Sequence, residues 1–212
     1  RQTHIMDYLL KYFPELTEHQ KKLFRDLFDA YHFWNRKINV ISRKDFQNFY
    51  LHHVLHALSI AKIIRFQPGT AVLDVGTGGG FPGLPLAIYF PRVHFMLVDS
   101  IKKKLHVIQA MKKDFQLDNL DTRHTRIETY HEQFDFVASR AVTQFPRFVS
   151  WVSKNVHTRN KNLMSNGIFY LKGGNFQEEI QPFQENINLF SIHEFYEEPF
   201  FQTKKILFLP IL

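Results

Sequence analysis

The hydrophobic positions divide the chain into a helical first third and a remainder in which strands and helices alternate. Up to about residue 66 the apolar residues recur at helical spacing. Thr17 and Gln20 form a capping box that begins one helix. The apolar face of that helix comprises Leu23, Leu27, Ala30, Tyr31 and Trp34. A second amphipathic stretch runs from Phe46 to Ile64, and Pro68-Gly69 ends the region with a turn. We predict a helical subdomain over residues 1–66 and a second domain over 67–212.

The second domain has the pattern of an α/β fold. Short apolar runs at 71–75, 93–98, 122–127, 134–138 and 167–171 are predicted strands, and 188–194 with 204–209 is a predicted antiparallel pair. Helices are expected at 85–90, after Asp99 and from Trp151 onward. Strands separated by helices indicate a parallel, doubly wound sheet, which with the tail has seven strands.

A glycine-rich loop follows the first predicted strand. Residues 74–83 read DVGTGGGFPG, and Asp99 ends the second strand. In doubly wound sheets ligands bind beyond the carboxyl ends of the strands. The glycines let the backbone approach a ligand closely, and Asp99 can accept two ribose hydroxyls. Gly76 and Gly78 are therefore candidate cofactor-binding residues.

Spacing alone does not decide which cofactor this loop binds. Gly78 to Gly83 also satisfies the dinucleotide pattern G-x-G-x-x-G, with Asp99 near the expected distance. Asp74 favours S-adenosylmethionine over NAD, because its carboxylate repels a pyrophosphate and suits the ammonium group of a methionine. Pro82 also lacks an N–H that a phosphate could use. An NAD-dependent oxidoreductase remains the alternative.

Six short motifs occur in order along the chain. They are W-N-x-x-I-N at 34–39, D-V-G-T-G-x-G-F-P-G at 74–83, D-S-x-x-K-K at 99–104, R-x-E at 126–128, S-R-A at 139–141 and K-G at 172–173. In these motifs the chain resembles the bacterial small-subunit ribosomal RNA guanine-N7 methyltransferases, also called glucose-inhibited division protein B. One departure is that His56 stands where that family often has an acid, whereas His53 is kept.

The resemblance implies a class I S-adenosylmethionine-dependent methyltransferase, with a Rossmann-like sheet and an N-terminal helical subdomain. It implies methyl transfer to N7 of a guanine in 16S rRNA (guanine 527 in standard ribosomal numbering), within the small subunit or an assembly intermediate. The cofactor contacts that it implies are Gly76, Phe81, Ile127, Glu128 and Arg140, with Asp99 on the ribose.

Charge and composition limit the kinds of binding partner and the cellular compartment that we expect. The formal net charge of +7 is typical of a nucleic-acid-binding protein, although a basic solvated surface explains it equally well. Without cysteine there is no disulfide, thiolate metal site or cysteine nucleophile. No apolar run reaches the roughly 18 residues of a membrane span, and the histidines lack metal-site spacing. We expect a cytoplasmic protein with no metal and no membrane partner.

Guanine N7 presents a lone pair at neutral pH, so its methylation needs no general base. The chain agrees, because SRAV at 139–142 stands where amine-methylating enzymes have a proline-rich loop. Arg140 is therefore the first catalytic candidate, with a surface salt bridge to Glu128 as its alternative. Arg126 and Lys172 are further catalytic candidates. The alternative for Arg126 is a structural role, and the alternative for Lys172 is a solvated surface lysine. We interpret His53 as a buried, hydrogen-bonded residue. A metabolite methyltransferase and a non-catalytic RNA-binding protein remain rivals.

Overall fold

A computed structural model of the chain describes residues 2–140 and 142–212, with side chains from residue 6 onward. Its strands are β1 (Ala71–Val75), β2 (His94–Asp99), β3 (Leu120–His124), β4 (Phe136–Arg140), β5 (Gly167–Gly173), β6 (Asn188–Ser191) and β7 (Lys204–Pro210). They form one seven-stranded sheet in the order β3-β2-β1-β4-β5-β7-β6. β1 to β5 are parallel, and β7 lies antiparallel between β5 and β6. The predicted doubly wound sheet and the antiparallel tail are confirmed.

The helices of the described residues are α1 (Gln2–Tyr12), α2 (Glu18–Asn35), α3 (His56–Leu58), α4 (Gly83–Tyr89), α5 (Lys102–Phe115), α6 (Phe145–Val152) and α7 (Gln177–Ile180). The predicted capping box begins α2. Thr17 Oγ1 accepts from the Gln20 amide at 3.1 Å, and Gln20 Oε1 accepts from the Thr17 amide at 3.0 Å. Two backbone donors at the helix start are thereby satisfied.

The predicted second helix of the first third is irregular. The chain from 36 to 45 is a loop, and the amphipathic stretch that follows is a 3₁₀ turn (Phe46–Asn48), a π-helical segment (Phe49–Leu55), α3 and a second 3₁₀ turn (Ser59–Lys62). Helical spacing indicated a helix correctly but not its type. In the π-helical segment, Asp45 hydrogen-bonds both His52 and His53, which are adjacent in sequence. A π-helical turn is wider than an α-helical one, and the spacing of apolar residues does not predict it.

Three predicted element positions were displaced. The prediction that a helix begins at Trp151 is wrong, because Pro146 lies in the first turn of α6 and Trp151 near its end. β3 ends at His124, so Ile127 lies in a 3₁₀ turn rather than in a strand. β4 starts two residues later than predicted, which makes Arg140 its last residue.

Apolar clusters cover both faces of the sheet. The larger one joins residues of α1 and α2 to α4, α5 and one sheet face, and the other packs α6 and α7 on the opposite face. Tyr31, fully buried in α2, donates its hydroxyl hydrogen to the carbonyl of Gly79 in the glycine-rich loop. The N-terminal helices are thus bonded directly to that loop. Among the described residues, no helix is long and apolar enough to cross a membrane.

Candidate active site

Asp74, at the end of β1, anchors the glycine-rich loop from below. Its side chain is fully buried, and Oδ2 accepts from Thr77 Oγ1 at 2.6 Å and from the Gly83 amide at 2.8 Å. Oδ1 is buried without a hydrogen-bond partner. Burial raises the pKa of this carboxyl to about 7. A buried acceptor that no protein group satisfies fits a ligand's donor.

Asp99, at the end of β2, ties the same loop to the neighbouring strand. Oδ2 accepts from the Gly78 amide at 2.8 Å, and Oδ1 accepts from the Ile101 amide at 2.9 Å. Each carboxylate oxygen keeps a further lone pair. Asp99 is therefore held by the backbone and still able to accept from two hydroxyls.

A pocket of about 160 Å³ opens beside Asp99, with Val75, the neighbour of Asp74, in its wall. Its lining residues are Val75, Gly76, Val98, Asp99, Ser100, Thr125, Arg126, Ile127, Glu128, Val142 and Trp151. Gly76 has φ +66°, and a Cβ there would lie 2.5 Å from Val142 Cγ1. The structure thus brings Gly76, Asp99, Ile127 and Glu128 together, as the resemblance implies. Apolar walls next to Asp99 suit a flat base joined to a ribose.

Arg140 lies across the loop from this pocket. Its Nη1 is 3.0 Å from Nδ1 of His53, and its guanidinium carbon is 5.2 Å from the centre of the Phe81 ring. The second contact has cation–π geometry. No ion pair joins Arg140 to Glu128 in the described part of the chain, so the surface salt bridge offered as the alternative is wrong.

His53 in turn contacts Asp45. Its Nε2 lies 2.7 Å from Asp45 Oδ2, while His52 Nδ1 lies 2.6 Å from Oδ1 of the same carboxylate. A guanidinium only donates, so Nδ1 of His53 must accept from Arg140 and the imidazole proton is assigned to Nε2. Burial, with Arg140 adding to it, lowers the pKa of His53 to about 4, which keeps the ring neutral. His53 is buried and hydrogen-bonded, as predicted.

Lys172 and Arg126 lie apart from this group. Lys172 Nζ is paired with Glu179 Oε2 at 2.8 Å, and that oxygen also accepts from the Phe145 amide at 2.8 Å. Lys172 is thus engaged with α7 and the start of α6. Arg126 is exposed at the outer wall of the pocket.

Two other residues of the sequence motifs, Ala141 and His56, lie outside the proposed cofactor pocket or outside the described residues. Ala141 of the S-R-A motif lies outside the described residues. His56 is buried against Phe200 and Phe201, where burial and then Arg140 hold its pKa well below the usual value. Within residues 2–140 and 142–212, no cluster of His, Asp and Glu is arranged to hold a metal ion.

Asp45 was not among the candidate residues of the sequence. It belongs to no motif, and the two adjacent histidines that it contacts lie in a π-helical segment. No spacing rule for regular helices would have found it, because side chains at adjacent positions of an α-helix point in different directions.

Comparison with known proteins identifies the family of this chain. A family model described as "GidB: rRNA small subunit methyltransferase G" matches residues 20–205. The chain belongs to this family. It is 50% identical to "Ribosomal RNA small subunit methyltransferase G" of Flavobacterium johnsoniae, covering 97% of this chain and 98% of the relative. It is 51% identical to the protein of the same name from Bacteroides thetaiotaomicron, over 96% and 98%.

A solved structure supports the fold alone. The TehB-like SAM-dependent methyltransferase of Corynebacterium glutamicum superposes with a TM-score of 0.52 at 12% identity, covering 80% of this chain and 95% of that one. As a member of the GidB family the chain is a methyltransferase, and its cofactor is S-adenosylmethionine. The NAD-dependent oxidoreductase is thereby set aside. The residues fit the cofactor, because Asp74 Oδ1 lacks a partner and Asp99 retains two acceptor positions.

Proposed function

We propose that this protein transfers a methyl group from S-adenosylmethionine to N7 of a guanine in 16S rRNA, in the cytoplasm. The RNA is presented in the small ribosomal subunit or an assembly intermediate. The observation that carries the proposal is Arg140, held by neutral His53 at the edge of the glycine-rich loop. The names of the relatives, which are 50% and 51% identical, support rRNA as the substrate class.

The proposed cofactor site uses both acids and the pocket beside Asp99. Asp74 Oδ1 accepts from the ammonium group, and Asp99 accepts from the ribose hydroxyls. Ile127 packs against the adenine, with Glu128 at the same end of the pocket. Gly76, Gly78 and Phe81 complete the loop around the cofactor. When bound, S-adenosylmethionine supplies an electrophilic methyl group on a sulfonium.

The chain supplies orientation rather than a base. Both nitrogens of His53 are engaged, one with Arg140 and one with Asp45, and Asp74 lies beneath the loop. Neither is free to take a proton from the RNA, and N7 carries none to give. Proximity and fixed charge then account for catalysis.

We assign Arg140 to guanine O6 or to a backbone phosphate of the RNA. A donor on N7 itself would occupy the lone pair that must attack the methyl group. One N–H of the guanidinium bonds His53, which leaves four for the RNA or the cofactor. Lys172 and Arg126 remain weaker candidates for contact with the RNA. Lys172 would first have to break its ion pair with Glu179.

The boundary between the two proposed domains, 1–66 and 67–212, passes through this site. The first provides Asp45 and His53, and the second provides Arg140 and both cofactor-binding acids. We propose that the helical subdomain forms the RNA-facing side of the site and fixes Arg140.

The experiment is incubation with labelled S-adenosylmethionine and small subunits lacking this methyl group, with free 16S rRNA in parallel. We expect label in the RNA, and cleavage at the labelled guanine by reduction followed by aniline, a treatment selective for N7-methylguanine. A methyl group on an exocyclic amine or a ribose hydroxyl would contradict the proposed position. Transfer to small molecules without RNA would favour the metabolite methyltransferase.

A further inference from the structure

An aromatic pocket lies on the N-terminal helices, outside the cofactor site. It encloses about 690 Å³ and is lined by Phe28, His32, Asn35, Arg36, Arg43, Phe46 and Gln47. This volume is within the usual range for small-molecule sites. The surface of its wall is mainly apolar, and the two arginines that line it are exposed.

The rings of this aromatic pocket are arranged for stacking. His32 is parallel to Phe28 within 8° at a centroid distance of 6.3 Å, and it is tilted against Phe46 at 5.4 Å. His32 is exposed, whereas Phe28 and Phe46 are half-buried. Protein aromatic rings that line an open groove stack on nucleobases with little sequence preference.

A basic loop adjoins the aromatic pocket. Residues 36–44 read RKINVISRK, with four cationic side chains and no acid. All four are exposed, and none forms an ion pair in the described part of the chain. Lys37 lies 4.2 Å from the centre of the Phe33 ring. Unpaired cations beside an aromatic groove complement a phosphate backbone.

This basic loop is held in one conformation by Asn35. The Asn35 side-chain oxygen accepts from the amides of Val40 at 2.8 Å and Ile41 at 2.9 Å, and its Nδ2 donates to the Ile41 carbonyl at 2.8 Å. The cations are therefore displayed on a fixed backbone. Less conformational entropy is lost when a ligand binds to such a loop.

The loop also reaches the active site. A Cβ on Gly79 would lie 2.9 Å from Val40 Cβ, so Val40 packs directly on the glycine-rich loop. Immediately after the basic loop, Asp45 holds His53 and thereby Arg140. The aromatic pocket is thus one loop away from the group that we place at the target guanine.

We propose that the aromatic pocket and the basic loop bind an unpaired nucleotide of the RNA close to the target guanine. Its base stacks on His32, and the adjoining phosphates contact Arg36 and Arg43. The proposal rests on the proposed function for the identity of the polymer. Charge favours RNA over a second copy of this chain, because two proteins of charge +7 with basic rims repel each other.

Binding of a fluorescent single-stranded RNA of about 12 nucleotides, against a duplex of the same length, tests the proposal. In Arg36→Gln/Arg43→Gln the slope of log affinity against log salt should become shallower by about 1.4, since each lost phosphate contact contributes about 0.7. The matched control is Arg92→Gln/Arg159→Gln, which removes the same charge from exposed positions before β2 and β5, at the opposite edge of the sheet. A control that changes the slope equally would overturn the assignment.

Stacking is tested separately at His32, which is exposed and can be replaced without opening the core. His32→Ala should weaken single-strand binding by about tenfold, and His32→Phe should restore it. Duplex binding should not change, because its bases are already stacked. Unaltered single-strand affinity in His32→Ala, or a dimer that this variant dissociates, would overturn the proposal.

Methyl transfer separates this inference from the proposed function. The Arg36→Gln/Arg43→Gln variant should raise KM for small subunits while its affinity for S-adenosylmethionine stays unchanged. Absence of RNA methylation by the unmodified protein would contradict the proposed function. Normal methylation with an unchanged KM in the variant would contradict only the aromatic pocket.

Discussion

Nη1 of Arg140 lies 3.0 Å from Nδ1 of His53, and this contact joins the end of β4 to the irregular helical segment of the first third. The partner of the guanidinium is a neutral ring, so the positive charge of Arg140 is oriented without being paired. Burial lowers the pKa of Arg140, but an arginine stays protonated in proteins. Asp74 and Asp45 favour the charged form of Arg140 electrostatically, but its direct hydrogen-bond partner is His53. The remaining N–H groups of the guanidinium are donors that an anionic or carbonyl ligand would satisfy.

Arg140→Ala should reduce methyl transfer to small subunits by about 100-fold or more, because oriented charge contributes that much where charge is redistributed in the transition state. The protein should stay folded with a lower melting temperature, because buried Nδ1 of His53 loses its donor. Arg140→Lys should be intermediate, since it keeps the charge and loses the planar fork. The measurement is the single-turnover rate with saturating cofactor. A folded and fully active Arg140→Ala protein would remove this residue from the mechanism.

Asp45→Ala should lower kcat by roughly tenfold through loss of the fixed His53, with the dissociation constant for S-adenosylmethionine unchanged. Asp45→Asn should retain most of the activity, because an amide oxygen can still accept the Nε2 proton of His53. Asp118→Ala, at an exposed acid distant from the site, is the control. If Asp45→Ala and Asp45→Asn lost the same activity, the negative charge of Asp45 rather than its positioning of His53 would be what catalysis requires.

Cofactor affinity should depend on pH through Asp74, whose pKa burial raises to about 7. Below that pH the folded protein holds a proton on the carboxyl that we propose as the acceptor for the ammonium group. Affinity should therefore rise up to about pH 7 and decline above about pH 8, where an α-amino group loses its proton. Calorimetry across this range should show that Asp74→Asn binds more weakly and lacks the acidic limb. The same limb in the variant would exclude Asp74 as its origin.

The same carboxyl makes stability fall with rising pH. Between its ordinary value of 3.8 and about 7, Asp74 keeps its proton in the folded protein and loses it on unfolding. The folded state binds more protons there, so the free energy of unfolding decreases as pH rises through this window. Above the window Asp74 adds no further pH dependence, and the loss of stability is complete. In thermal melts, the stability of Asp74→Asn should fall less steeply with pH than that of the unmodified protein. The same pH dependence in both proteins would contradict the raised pKa.

The rate of methyl transfer at saturating cofactor should show no steep rise between about pH 6 and 9, because no base has to titrate. His53 does not introduce one, since its pKa of about 4 keeps it neutral throughout. Single-turnover rates across this range provide the measurement. A tenfold rise per pH unit would indicate an obligatory general base and overturn the proposed chemistry.

Asp99→Ala should weaken binding of S-adenosylmethionine by about 2 kcal/mol, the usual value of a hydrogen bond to a charged group. The Gly78 and Ile101 amides lose their acceptor as well, so part of the loss comes from a looser loop. Asp99→Asn keeps one acceptor oxygen and should lose less binding free energy than Asp99→Ala. Unchanged calorimetric affinity in Asp99→Ala would show that the ribose is bound elsewhere.

The arrangement of the proposed cofactor-binding acids could be predicted from the sequence because its parts are local. Asp74 and Asp99 end adjacent parallel strands, whose carboxyl ends necessarily meet at one edge of the sheet. The Asp45–His53–Arg140 group was not predictable in the same way. It joins positions 45, 53 and 140 through tertiary packing, and its geometry depends on a π-helical turn that no hydrophobic period specifies.

Gly79 is contacted from two directions, by the hydroxyl of Tyr31 at its carbonyl and by the side chain of Val40 at its Cα. The glycine-rich loop is therefore in direct contact with both α2 and the basic loop. A change in the position of Gly79 would alter its contacts with both residues. If cofactor binding makes such a change and thereby alters the affinity for RNA by some factor, thermodynamic reciprocity requires RNA to change the affinity for the cofactor by the same factor.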